Sequence, residues 1–526
     1  MVITIRNLAW YFTGGILLAY VILIACCSPV ALEDLPNHLA RAFIMADLIL
    51  HDGVHFGALY RFHFLAVPYV LSDLLLTVAV DLLGPNGAAA CLNVLTFLAL
   101  PAALLLYLRT TLGIKLRTLF ERDGTLFLLL CASYLATDWF FVMGFFAFRL
   151  ALPCFICVLA LIEALRRRWS NALFACYAVL VFLTYLTHLS ALVFLAAAAI
   201  VSATVRLWYR SSSLRSELLL LWPIVIVLAW HFGVATRYRQ PGDSVDQFYL
   251  WGTLQTKAQW TIREFYRYGG RLDRLLPLVY LASLVTFVRG RAWREALKHQ
   301  PVIESLALAT AFFALYLLLP FEYSDATFVD VRALAAAFLF LLIACLQLPP
   351  RSAPAAKSGI LFDGVLLAMA LSVLNLTYLE KHFREASVWA RNYRLLVAEL
   401  PVGARVLSVD TSPSLWRLHL YGHAASTAVI ERRAMTPYLF SANTGEPMIY
   451  FRYVDHPYAP RDSWYNARPP PDIDWQRIAC AYQYILVTRP FDLRRISVLT
   501  SAVADTSSGS LLAIDPRACR EYPEPH

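Results

Sequence analysis

Charge is scarce in this chain of 526 residues: only 15% are Asp, Glu, Lys or Arg, while 59% are hydrophobic. Ordinary soluble domains carry about 25% charged and about 45–50% apolar residues. A mean hydropathy of +0.58 therefore excludes a simple soluble globule. Nucleotide signatures are missing as well, since the chain has neither a glycine-rich phosphate loop nor a dinucleotide fingerprint. No internal duplication is visible, which removes one common mark of a transporter. Cysteine is sparse outside the apolar sequence: eight of the ten lie in or beside apolar blocks, and only Cys480 and Cys519 lie in polar sequence. Those two can pair if that region is outside the cytoplasm.

Apolar sequence is abundant and comes in blocks of membrane length, since about 20 helical residues cross a hydrocarbon core of about 30 Å. Each block reads as a helix, because lipid offers backbone groups no other partner and no alternating barrel pattern occurs. Candidate spans are 9–27, 65–83, 88–108, 124–141, 144–165, 171–187, 189–206, 217–235, 275–289, 303–320, 331–348 and 359–377. The first ends in Leu23-Ile24-Ala25-Cys26, similar to a lipoprotein cleavage box, but its full crossing length favours an uncleaved anchor.

Basic runs at Arg166–Arg168, Arg206–Arg215, Arg289–Lys298 and Arg351–Lys357 mark one side as cytoplasmic. The net charge of +9 is thus an orientation signal, and no nucleic-acid partner is expected. Outward loops are then 28–64, the surroundings of Gly144 and His188, 236–274 and 321–330, together with the tail after 377. Twelve spans conflict with this assignment. An inward N-terminus and an outward tail require an odd number, eleven or thirteen, and twelve strand Arg109, Lys115, Arg117 and Arg122 outside.

After Tyr378 the composition becomes that of a soluble domain. Glu380–Val397 reads as a connecting helix, and Pro469–Pro471 as a rigid loop. Arg405–Val409, Thr427–Ile430, Tyr484–Thr488 and Leu511–Ile514 read as strands. The expected architecture is an all-α polytopic membrane domain over 1–377, followed by a small C-terminal α/β domain over 378–526.

The outer loop 28–64 holds the densest chemistry: Glu33-Asp34-Leu35-Pro36-Asn37-His38-Leu39-Ala40-Arg41. Pro36 suits a first helical turn, and Leu39, Phe43, Ala46 and Leu50 recur at helical spacing, so an amphipathic helix at the membrane surface is expected. In the bland reading Asp34 caps that helix and Glu33 is solvated. In the functional reading a carboxylate takes a proton from an acceptor hydroxyl while nearby cations receive a developing phosphate charge. Glu33, Asp34 and His38 could also offer metal ligands, but the loop has no Cys-x-x-Cys pair and no Asp-x-Asp triplet. No cofactor is expected, and a divalent metal lacks support.

These residues resemble a known family. Adjacent acidic residues in the first outer loop of a many-span scaffold with an exposed C-terminal domain look like the C superfamily of membrane glycosyltransferases, which includes protein O-mannosyltransferases and aminoarabinose transferases. The stretches Asp34–Arg41, Gly144–Arg149, His188-Leu189 and Asp330-Val331-Arg332 are similar to those of uncharacterised bacterial members. Ala147 departs from the pattern, since relatives often carry Asn there. The resemblance covers the membrane part well and the tail poorly.

It implies a bacterial inner-membrane enzyme with a periplasmic tail, moving a sugar from a polyprenyl-phosphate donor to an unidentified acceptor with inversion. Asp34, or its neighbour Glu33, would be the base, and an ionised Asp34 is favoured by the helix N-terminus. Arg332 would hold the lipid phosphate, because a guanidinium grips phosphate oxygens at two points. Asp330 and Tyr323 stand beside it, His38 and Arg41 are second choices for the phosphate, and His188 and Arg149 are costly polar groups in apolar blocks. The bland alternatives are that Arg332 pairs with Asp330 or snorkels, and that headgroups solvate Arg149 and His188. Loop 236–274 mixes Lys257, Arg263, Arg267, Arg271 and Arg274 with Trp251, Trp260, Phe265 and Tyr266, and reads as an interfacial segment among lipid headgroups or as a lid. The rival functions are a transporter or flippase for a lipid-linked or anionic substrate, and an inactive membrane scaffold.

Overall fold

The computed structural model describes residues 5–120, 122–237, 249–263, 267–289, 291, 296, 298–323, 326–348, 358–409, 421–439, 451–454, 474–488 and 500–519. Arg294, Asp325, Arg351, Lys357, Phe265, Tyr266 and Pro469–Pro471 lie outside the described residues.

The membrane part consists of helices α1 (Ile5–Ala25), α2 (Leu35–Leu50), α3 (Val70–Leu112), α4 (Leu116–Phe120), α5 (Asp123–Leu135), α6 (Trp139–Met143), α7 (Phe146–Arg167), α8 (Asn171–Thr187), α9 (Leu189–Trp208), α10 (Leu214–Arg237), α11 (Leu254–Arg263), α12 (Arg271–Arg289), α13 (Gln300–Leu318), α14 (Val331–Gln347) and α15 (Ser358–Ala398). Seven of these are long and apolar enough to cross a membrane, and α5, α8 and α14 are shorter apolar helices. Counting these ten together with the 19-residue α12 gives eleven helices of this kind among the described residues, an odd number.

The odd number has an identifiable origin in α3. Its first half stays on the Asp34 side beside α2, where Arg41 pairs with Asp73 and His51 Nε2 lies 2.8 Å from Asp81. The helix breaks at Gly84, whose φ of 70° and ψ of 166° suit glycine, with Pro85 next in the chain. Its second half ends where Arg167 donates to Thr111 O at 2.6 Å. The apolar block 65–83 is therefore not a crossing, and Arg109, Lys115, Arg117 and Arg122 join Arg166–Arg168 on one side. Apolarity alone makes 65–83 look like a separate span; α2 packs on one face of this stretch, while Leu75, Val78, Leu82 and Leu83 on the other stay exposed.

Helix α2 itself corrects the surface-helix expectation. Apart from Leu50 and a few flanking positions it is buried all round, polar Asn37 and Arg41 included. It lies between α3 and the C-terminal helix α16 (Ser426–Arg432). In the same way Lys257 and Arg267 of loop 236–274 face protein, not headgroups, and both are buried. Asp273 gathers the backbone N–H groups of Arg267, Tyr268 and Gly269 at 2.5, 2.8 and 3.0 Å. Arg267 in turn donates to Thr137 O and to Asn375. Trp251 of this loop is exposed.

The short strands are β1 (Tyr60–Phe62), β2 (Tyr249–Leu250), β3 (Glu322–Tyr323), β4 (Ala326–Thr327), β5 (Val406–Val409), β6 (Phe451–Tyr453), β7 (Tyr484–Thr488), β8 (Thr500–Thr506) and β9 (Gly509–Ile514). The C-terminal sheet has the order β5-β7-β9-β8, with only β5 and β7 parallel. Thr427–Ile430, expected as a strand, is part of α16; four apolar residues cannot distinguish the two states, and packing of Ala424, Ala425 and Ala428 against α15 decides for a helix. The connecting helix is the unbroken continuation of the last crossing, and Cys480 and Cys519 are bonded. Strand β1 pairs with β6, so the first outer loop and the tail share a sheet. Val30 of that loop packs in the tail's own core with Tyr393, Leu396 and Val406.

Candidate functional site

The Asp34 loop is fixed through its backbone. Glu33 N–H donates to Val142 O at 3.0 Å and Asp34 N–H to Met143 O at 2.9 Å. The accepting helix α6 ends at Gly144, with φ +74°, where a Cβ would fall 2.8 Å from Leu35 N. Only glycine combines that conformation with so close a backbone approach. Two motifs more than 100 residues apart, Asp34–Arg41 and Gly144–Arg149, are thereby locked together.

Asp34 stands at the N-cap position of α2, with φ −85° and ψ −15°, but its side chain caps nothing. Two facts explain this: Pro36 has no N–H, and the Asn37 N–H is taken by Asp34's own carbonyl at 3.1 Å. The capping reading is thus corrected, and so is the expectation that the helix end keeps this carboxylate ionised. Burial pushes the Asp34 pKa up to about 8, against the pull of Arg332 and Arg41. Glu33 is buried beside it.

Arg332 enters from α14, 7% exposed, with its guanidinium over Phe145 at 5.4 Å and Phe148 at 6.0 Å. It does not pair with Asp330. That carboxylate accepts from its own helix at Val331 N (2.8 Å) and holds Lys257 Nζ at 2.8 Å. Lys257 also donates to Tyr316 O and Leu319 O, which exhausts its three donors. Arg332 Nε is buried without a hydrogen-bond partner among the described residues, and Arg332 and Asp34 interact electrostatically without forming an ion pair.

Two further groups converge here. His188 Nδ1 accepts from Ser190 N at 3.1 Å, so in the neutral ring Nε2 carries the proton and donates to Tyr69 OH at 3.1 Å. Tyr69 adopts φ +73°, an unfavourable conformation for a bulky side chain, and its ring meets His188 at 4.7 Å. The sequence offers no motif that singles out Tyr69.

Other expected site residues are engaged elsewhere. Arg41 is held by Asp73 and donates to His38 Nδ1 at 3.1 Å. Burial, then Arg41 and His423, hold His38 well below the usual imidazole range. Arg149 donates to Asn93 at 3.2 Å and stacks on Phe141 at 4.2 Å, so it belongs to the packing of α7 on α3. Tyr323 takes part in the small sheet through its backbone. An unexpected member comes from the tail: His423 Nε2 lies 3.5 Å from Asp34 Oδ1.

No family model matches the chain, and no curated protein matches it. Two solved structures do. ArnT from Cupriavidus metallidurans in the apo state superposes with a TM-score of 0.58 at 13% identity, over 97% of this chain and 98% of that one. ArnT from the same organism bound to undecaprenyl phosphate gives a TM-score of 0.52, again at 13% identity and with the same coverage. The chain therefore shares the fold of these ArnT structures over 97% of its length, a multi-pass helical part with a small C-terminal α/β part.

Proposed function

We propose that the protein is a membrane glycosyltransferase that moves a sugar from a polyprenyl-phosphate donor to an acceptor hydroxyl. The observation that carries this reading is the buried Arg332 guanidinium, left unpaired close to a buried carboxylate that makes no ion pair with it. Buried charge without a partner is costly, and it persists where a ligand supplies the missing charge. A lipid phosphate would do so. One of the two ArnT structures that share this fold holds undecaprenyl phosphate, a ligand of that class.

In the proposed reaction the acceptor oxygen attacks the anomeric carbon as Asp34 takes its proton. The bond from that carbon to the phosphate oxygen breaks, and its electron pair leaves on the lipid phosphate. Arg332 and the Tyr69 hydroxyl receive the charge, with Tyr69 aimed by His188. The phosphate or water then recovers the proton from Asp34. A single displacement of this kind inverts the anomeric centre. The raised pKa of Asp34 favours this role, because a base works best with a pKa near the working pH. The bonded Cys480–Cys519 pair supports a tail outside the cytoplasm, and hence a site at the periplasmic face of a bacterial inner membrane.

The test is transfer of labelled sugar from polyprenyl-phosphate donors to membrane acceptors, comparing wild type with Asp34→Asn at matched amounts of folded protein. Transfer by wild type that is lost in Asp34→Asn supports the reading. Equal transfer by both removes Asp34 as the base, and movement of the donor across vesicles without sugar consumption favours the flippase.

A further inference from the structure

The reaction above leaves one buried imidazole beside Asp34 without a task. His423 precedes α16 in the C-terminal domain and is 8% exposed. Its Nδ1 lies 3.2 Å from Asn37 Nδ2, and its Nε2 3.5 Å from Asp34 Oδ1. Asn37 is 0% exposed, and its Nδ2 also lies 2.6 Å from the backbone carbonyl of Tyr438. A carbonyl only accepts, so this contact fixes which end of the Asn37 amide is nitrogen. The second amide hydrogen then points at His423 Nδ1, which must present a lone pair. The His423 proton is thereby assigned to Nε2, the atom that faces Asp34.

Hydrogen-bond donation therefore runs from Asn37 to both Tyr438 O and His423, which leaves the His423 Nε2 hydrogen on the atom 3.5 Å from Asp34 Oδ1, an ion-pair distance just outside a formed hydrogen bond. Asp34 Oδ2 has no hydrogen-bond partner among the described residues. Among the described residues, Arg332 and Arg41 act on Asp34, and His423 acts on His38.

We propose that His423 is a positioning residue through which the C-terminal domain completes the catalytic site: it donates to Asp34 Oδ1, fixes the carboxylate rotamer and leaves Oδ2 for the acceptor hydroxyl. The proposal rests on the reading of Asp34 as the base. His423 transfers no proton; it keeps its Nε2 hydrogen throughout, while the acceptor's proton goes to Asp34. A hydrogen bond donated to a carboxylate stabilises its charged form. Loss of this bond raises the pKa of Asp34, so the acid limb of the pH–rate profile moves to higher pH.

The test uses the full-length chain with His423→Phe, which keeps a ring without a donor, and His423→Gln, whose amide can accept from Asn37 and donate to Asp34. In His423→Phe we expect kcat to fall about 10- to 100-fold near neutral pH, with the donor KM little changed and the acid limb displaced upward by about one pH unit. His423→Gln should recover most of both. A second readout needs no substrate: infrared titration of the protonated-carboxyl band that is absent in Asp34→Asn, whose midpoint should rise in His423→Phe and return in His423→Gln. If the midpoint and the pH limb are unchanged in His423→Phe while Asp34→Asn is inactive, the proposal is overturned and the base reading stands. If Asp34→Asn transfers sugar like wild type, the base reading falls and the proposal with it.

Discussion

Two groups of buried charge lie at opposite ends of the 22-residue helix α7, and they follow opposite rules. At its C-terminal end the guanidiniums of Arg166 and Arg206 both touch carboxylates. Arg166 meets Glu163 and Glu217, each at 2.6 Å, and Arg206 meets Glu163 at 2.6 Å and Glu304 at 3.1 Å. This cluster ties α7, α9, α10 and α13 into one unit. At the other end Arg332 and Asp34 are as deeply buried but do not pair, and Asp330, the obvious partner for Arg332, is given to Lys257. Pairing at one end holds helices together, whereas the unpaired Arg332 at the other end is what the proposed phosphate site requires. Arginine count and hydropathy would rate the two ends alike.

The largest expected effects sharpen that difference. Asp34→Asn should lower kcat by about 10³-fold, from the loss of the base, with thermal stability unchanged or raised because a costly buried acid is gone. Single-turnover transfer and calorimetry check the two halves of this expectation. Arg332→Ala should cost about 10²- to 10³-fold in transfer, and Arg332→Lys should recover only part, because an ammonium cannot clamp phosphate at two points.

Breaking the paired end should do the converse. Arg166→Ala leaves Glu163 and Glu217 without their shared guanidinium and should destabilise the fold by about 3–5 kcal/mol, while kcat per folded molecule stays within about twofold. Loss of kcat without loss of stability in this variant would erase the distinction between the ends. Gly144→Ala should cost at least about 1–2 kcal/mol from the left-handed conformation, with the clash of its Cβ on Leu35 N added to that, and transfer should fall as the Asp34 backbone is pushed away. Denaturant melts and kinetics of the purified variant measure both.

The legible part of the molecule is the part written in local patterns. Apolar blocks become helices, and Asp34, His188 and Arg332 each sit in a short motif at a predicted helix end. What was not legible depends on which distant groups meet. Nothing local says that α2 packs on one face of 65–83, that Lys257 crosses to Asp330, or that Arg149 is committed to Asn93. Tyr69 has no motif, because a strained backbone conformation is not encoded in neighbouring residue types. His423 is 386 residues from Asn37, and only the docking of the tail onto α2 brings the two together. Asn37 stands inside the motif that first drew attention, yet its role depends on the Tyr438 carbonyl, which composition and spacing cannot reveal.

The most direct measurement is binding of undecaprenyl phosphate to the detergent-solubilised protein, titrated against wild type and Arg332→Gln, with Arg267→Gln as a control for a fully buried arginine that already has partners. A cation kept unpaired for a lipid phosphate predicts saturable binding to wild type, weakened at least about tenfold in Arg332→Gln and unchanged in whatever fraction of Arg267→Gln folds. Equal affinity of wild type and Arg332→Gln would contradict it.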